Sequence, residues 1–250
     1  MRQVAQLVGE ADRLPEATHI FAARCAGGDM GEFGVLPELD FVETPVGMIY
    51  VATRRVGDNI WARMVEAVLP NLQQVAPIWE DGREEHPFNG PMMSRWIVPV
   101  DNANTMFIEF RHVSETNDVT PAWWADRNVM LPGQLAADSY EDGQRHPGDY
   151  EAQVSQRPIA IHGLEHLSAT DRGVSMFRNQ IRRGIRAVRA GDHPIGLCRD
   201  AGTVVPTYCN DTVARVPRAE NAAMDRQLMR ETGRRFAETY LRDPPLTTGR

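Results

Sequence analysis

Seven histidines (His19, His86, His112, His146, His162, His166 and His193) and three cysteines (Cys25, Cys198 and Cys209) are the residues best suited to hold a metal or act as nucleophiles. Their spacing forms neither HExxH nor a two-Cys, two-His pattern, and no Cys pair makes CxxC, so structural zinc and cysteine-held iron–sulfur motifs are not expected. His162 and His166 lie four apart around Glu165. On a helix they would share a face and suit a metal, but Gly163 and Pro158 weaken a helix there, which favours ordinary polar residues ahead of one. G-x-S-x-G, P-loop and dinucleotide signatures are missing, leaving an activated Ser or Cys without local support. All 27 cationic side chains are Arg, so a Lys Schiff base is ruled out.

These residues are carried by 250 residues, enough for one large domain or two small ones at about 100–200 residues each. The chain is 42% hydrophobic with a formal charge of −7, an ordinary globular balance and a poor one for non-specific binding to nucleic acid. Met1–Glu10 lacks the pattern of a signal peptide, and no apolar run nears the roughly 18 residues of a membrane span. With three irregularly spaced Cys, these features lead to the expectation of a cytoplasmic protein without membrane or nucleic-acid partners.

Alternation of apolar and polar residues predicts strands at 41–44, 48–53, 60–68, 94–100 and 105–112. Asp101–Asn104 reads as a hairpin turn and Arg54–Asn59 as turn-rich. The mixed faces of 105–112 predict a strand buried on one side and lining a partly polar cavity on the other. Residues 114–150 read as a long excursion with short helical pieces such as 122–127. Val174, Phe177, Ile181, Ile185 and Val188 recur at helical spacing, predicting a long helix over 171–190 that starts at Thr170 or Asp171 and stops at Gly191. Arg178, Arg182, Arg186 and Arg189 run beside that stripe, either as a solvated face or as a dock for an acidic partner protein. A second helix is expected over 219–241. The economical fold is α+β, a large curved antiparallel sheet packed on a long helix.

Several segments together identify a resemblance. Asp149-Tyr150-Glu151-Ala152-Gln153-Val154-Ser155-Gln156-Arg157-Pro158-Ile159 is followed by Glu165-His166-Leu167-Ser168 and Asp171-Arg172-Gly173. Upstream lie Trp96-Ile97-Val98-Pro99-Val100-Asp101 and Glu43-Thr44-Pro45-Val46-Gly47-Met48-Ile49-Tyr50. In this order, over roughly residues 12–190, they resemble the catalytic domain of Rieske-type aromatic-ring-hydroxylating oxygenases, in the phthalate dioxygenase and aromatic-ether demethylase branch.

The resemblance implies a helix-grip fold and a mononuclear Fe(II) held by two His and one carboxylate, with O2 and an aromatic substrate in the open positions. It implies hydroxylation or O-demethylation with electrons from a 2Fe–2S Rieske centre. Asp149 matches the iron carboxylate, although beside Pro147-Gly148 it also reads as a turn or helix-start aspartate. His19 matches the first iron His, and Glu16 the acid that bridges to the Rieske cluster of a neighbouring subunit, as in a homotrimer. The second iron His falls at Ala23 or Arg24, and Arg cannot ligate because its guanidinium has no free lone pair. Arg157 replaces the family's Gly. No Rieske ligand pattern occurs, so the cluster is expected on a separate Rieske protein served by a reductase. The expected division is 1–35 as a helical segment with the remnant iron motif, 36–218 as the catalytic-type domain and 219–250 as a helical tail. The alternative reading is a non-catalytic relative, a hydrophobic-ligand binder or assembly subunit with a degenerate iron site.

Overall fold

The computed structural model describes residues 36–77, 85–112, 136–145, 149–155, 159 and 161–245. Strands β1 (Glu38–Thr44), β2 (Gly47–Val56) and β3 (Asn59–Val68) form a meander in full antiparallel register, as the alternation predicted. The outer edge of β3 is shared by two branches. Asn59–Met64 pairs with β8 (Asn210–Arg215), which pairs in turn with β5 (His86–Asn89). Glu66–Val68 pairs with β4 (Leu72–Val75), followed by β6 (Met93–Pro99) and β7 (Thr105–Arg111). Every pairing among the described residues is antiparallel. The expected Asp101–Asn104 turn closes β6 onto β7, with Asp101 Oδ1 accepting the Ala103 and Asn104 N–H groups at 2.7 Å.

Short helices α1 (Tyr140–Arg145) and α2 (Asp149–Val154) precede α3 (Arg172–Ala190), and α4 (Ala222–Arg242) follows β8. The two long helices cover opposite faces of the sheet. Val174 and Phe177 of α3 join Phe41, Met48, Tyr50, Ala52, Val65 and Ala67 in one cluster. Ala237 of α4 joins Ile49, Val51, Ala62, Met64 and Tyr208 in the other. Covered on both faces, β2 buries every side chain from Gly47 to Arg55. A Cβ at Gly173 would sit 2.2 Å from Phe41 Cε1, and one at Gly233 2.3 Å from Thr53 Oγ1, so glycine permits both close approaches. Asp40, on edge strand β1, accepts from Arg172 of α3 and, at 2.9 Å, from Arg234 Nε of α4, tying the helices together across the edge.

Two expectations are corrected. Arg54–Val56 is strand rather than turn; both arginines are buried because Arg55 finds Asp225 on α4 and Arg54 stacks on Trp61. Strand β7 is not half-buried: as the outermost strand it leaves Met106, Phe107, Ile108 and Phe110 between 42% and 59% exposed. Asp171 is the N-cap of α3, as expected, but without a side-chain hydrogen bond to it; its carboxylate instead completes the Ser168–Asp171 capping box of the 3₁₀ turn Ala169–Asp171. Gly191 ends α3 in the left-handed conformation (φ +82°), as expected.

Candidate active site

The residues expected to touch iron are only partly visible. Glu16, His19, Ala23 and Arg24 lie outside the described residues. Asp149 is the first residue of α2, and its side chain is also outside them. His162 sits in a single 3₁₀ turn (His162–Leu164) and His166 in a segment without regular structure, so they share no helical face. Glu165 instead receives both ends of the Arg178 guanidinium, at 2.5 and 3.0 Å. That hydrogen-bonded pairing outweighs burial and holds its carboxyl below the ordinary range. The pair pins the Glu-His-Leu-Ser segment to α3, a positioning role.

Among the described residues, no three His, Cys, Asp or Glu side chains gather as a metal site. The resemblance alone offers His19 and Asp149 as donors, with Ala23 or Arg24 at the position of the second His, and none of these side chains is among the described residues.

Two clusters missed by sequence reasoning emerge from the fold. The first lies on the α3 face of the sheet, where β2, β3 and β8 turn polar side chains inward. Arg54, Trp61, Arg63 and Asp211 are all buried. Asp211, cross-strand from Arg63, meets His86 Nε2 at 2.6 Å and accepts from Asn89 Nδ2 at 2.8 Å. Arg63 donates to the carbonyls of Ala76 (3.0 Å) and Pro77 (3.2 Å) and to the Tyr50 hydroxyl (3.4 Å). Charged groups on a buried sheet face persist only when paired and hydrogen-bonded. This network fastens the two ends of the 76–89 segment to the sheet.

The second cluster sits where β3 forks. Glu66 is fully buried; its Oε2 accepts the Tyr208 N–H at 2.8 Å and the Thr207 hydroxyl at 3.3 Å, and its Oε1 has no hydrogen-bond partner. Burial outweighs those bonds and pushes its carboxyl up to about 7. The carboxylate thus satisfies a backbone donor freed by the divergence of β4 and β8. Burial, reinforced by the Glu66 charge, pushes the Cys209 thiol well above its ordinary range and leaves it a poor nucleophile. The sequence signal for these clusters is charge inside strands; the partners of Asp211 and Glu66 lie 122–142 residues away.

No family model matches the chain. It is 36% identical over 211 residues, 80% of its length, to the oxygenase subunit of tert-butanol monooxygenase / tert-amyl alcohol desaturase from Aquincola tertiaricarbonis. It is 28% identical over 185 residues, 73% of its length, to the phenoxybenzoate dioxygenase alpha subunit from Ectopseudomonas oleovorans. Over most of its length the chain is thus a homologue of Rieske-type oxygenase catalytic components, in agreement with the motif resemblance. It spans less than half of each relative, 44% and 42%.

Proposed function

We propose that this chain is the catalytic region of a Rieske-type non-haem iron oxygenase that uses O2 to hydroxylate or O-demethylate a small organic substrate. The observation that carries the reading is the ordered set of family motifs within the 211 residues shared with an oxygenase subunit. The antiparallel sheet with α3 on one face supports a helix-grip arrangement, with 36–218 as its body. His19 and Asp149 are the proposed iron ligands and Glu16 the proposed bridge to the Rieske centre of a neighbouring subunit, reduced in turn by a reductase. The motif branch favours an aromatic substrate. A tertiary alcohol is the second substrate class, after the name of the more similar relative reported above.

The missing third ligand supports one rival reading, a non-catalytic ligand-binding or assembly relative. Metal analysis of chain purified without oxygen, with and without added ferrous iron, separates them. About one iron per chain is expected of the oxygenase. Iron-free protein that still binds aromatics overturns it in favour of the rival.

A further inference from the structure

Helix α3 carries six arginines and no carboxylate. The rest of the chain has 21 arginines against 34 acids, so this helix is a cationic island on an acidic protein. Three of its arginines are matched: Arg172 to Asp40, Arg178 to Glu165 and Arg183 to Glu43 at 2.8 Å. Arg182, Arg186 and Arg189 have no carboxylate partner among the described residues; Arg182 donates only to Asn179 Oδ1 at 3.2 Å. All three are exposed, and with Ile185 they follow i, i+3, i+4, i+7 spacing on one face.

Two bland explanations fall short. Cations favour a helix C-terminus, but that effect fades beyond the last turn and reaches Arg189 rather than Arg182. A purely solvated face would be polar, yet Ile185 and Val188 are 48% and 60% exposed between these arginines. Mixed Arg and aliphatic surface is what protein interfaces use. Beside it, a recess of about 420 Å³ is lined by Arg172, Arg183, Arg186, Asn179 and Glu43, with room for an acidic side chain.

We infer that the carboxyl-terminal half of α3 is a docking surface for an acidic protein domain. The inference rests on the oxygenase reading, under which that domain belongs to the electron-supplying component. Charge complementarity selects the occupant. The patch runs only about 10 Å along the helix, at about 1.5 Å per residue. A nucleic acid or an anionic bilayer would extend past it onto surface of net negative charge. A compact acidic protein would meet the arginines at its rim and the two aliphatic side chains at its centre.

The test titrates the 250-residue, iron-free chain with a strongly acidic plant-type [2Fe–2S] ferredoxin as the probe, at about 20 and 150 mM salt. Binding is expected at low salt, with the triple variant R182E/R186E/R189E weakening it at least about tenfold. The triple Arg→Gln variant should weaken it less while keeping the parent's circular dichroism, and R226E on α4 should leave it unchanged. Absence of ferredoxin binding at low salt, or equal binding by the triple-Glu variant, overturns the proposal. So does tighter binding of a short DNA duplex or an anionic vesicle through the same arginines. Self-association of the parent that the triple-Glu variant abolishes also overturns it, since the occupant is then a second copy. Iron content is read separately: iron-loaded chain that fails to dock sinks only the docking surface, and docking by chain that never takes iron sinks only the oxygenase reading.

Discussion

Glu66 is buried in the sheet with one carboxylate oxygen unpartnered, and its folded-state pKa of about 7 lies above the ordinary 4.5. The folded chain therefore holds this proton more tightly than the unfolded chain does. Stability falls as pH rises from about 4.5 to 7 and stays low above that window. Glu66→Gln keeps a carbonyl for the Tyr208 N–H and removes the charge. It should be near neutral at about pH 5 and stabilising by up to about 3 kcal/mol at about pH 8.5. Denaturant midpoints at the two pH values check this, and an equal shift at both would show that Glu66 does not titrate there. Under the proposed ligand assignment Arg24 poses a different problem, because a cation would stand where the iron motif needs a lone pair. Arg24→His, or Ala23→His, should raise ferrous affinity at least about tenfold. Adding Asp149→Ala should abolish the gain, and unchanged affinity in both His variants would sink the proposed ligand assignment.

The long helices reach the sheet through two kinds of contact, glycine approach and arginine–carboxylate clamps. Gly173→Ala places a methyl against the buried Phe41 ring and should cost about 1–3 kcal/mol, read as a lowered unfolding midpoint. Asp40 joins α3 and α4 across β1. Burial raises its pKa, but Arg234, the Phe41 N–H and Arg172 together outweigh that and hold it below 3.8. Its stabilisation is therefore present at neutral pH and lost in acid, as pH falls through the depressed folded-state value. Asp40→Asn should destabilise by about 1–2 kcal/mol at pH 7, discounted for the exposure of both arginines, and by less near pH 3. A loss that does not shrink in acid would exclude the clamp as the cause.

At the scale of the whole molecule, the described residues form one sheet flanked by two long helices, and the 250-residue sequence holds no cysteine–histidine set for a Rieske cluster. The purified chain should lack that cluster's visible absorption and its paramagnetic signal in the reduced state. Turnover should require an added Rieske donor as well as a reductase. A stoichiometric two-iron cluster in the chain itself would overturn the proposed division of labour.

The meander β1–β3, the β6–β7 hairpin and helix α3 could be read from local pattern, because period 2, period 3.6 and turn chemistry act between near neighbours. The motifs around Asp149, Glu165 and Trp96 were legible for the same reason and led to the oxygenase family. The short strands β4 and β5 and the polar strand β8 were not legible, since four to six residues carry little periodicity and they are held by segments remote in sequence, β4 by β6, β5 by β8 and β8 by β3. The fate of Arg54 and Arg55 was likewise hidden. Adjacent charges mark a turn locally, yet Arg55 is buried because folding delivers Asp225 from 170 positions away. Glu66 and Asp211 belong to the same class: their burial depends on which strands the chain brings beside β3. Local sequence fixes direction and period along the chain, whereas the partners of a buried charge exist only after distant segments meet.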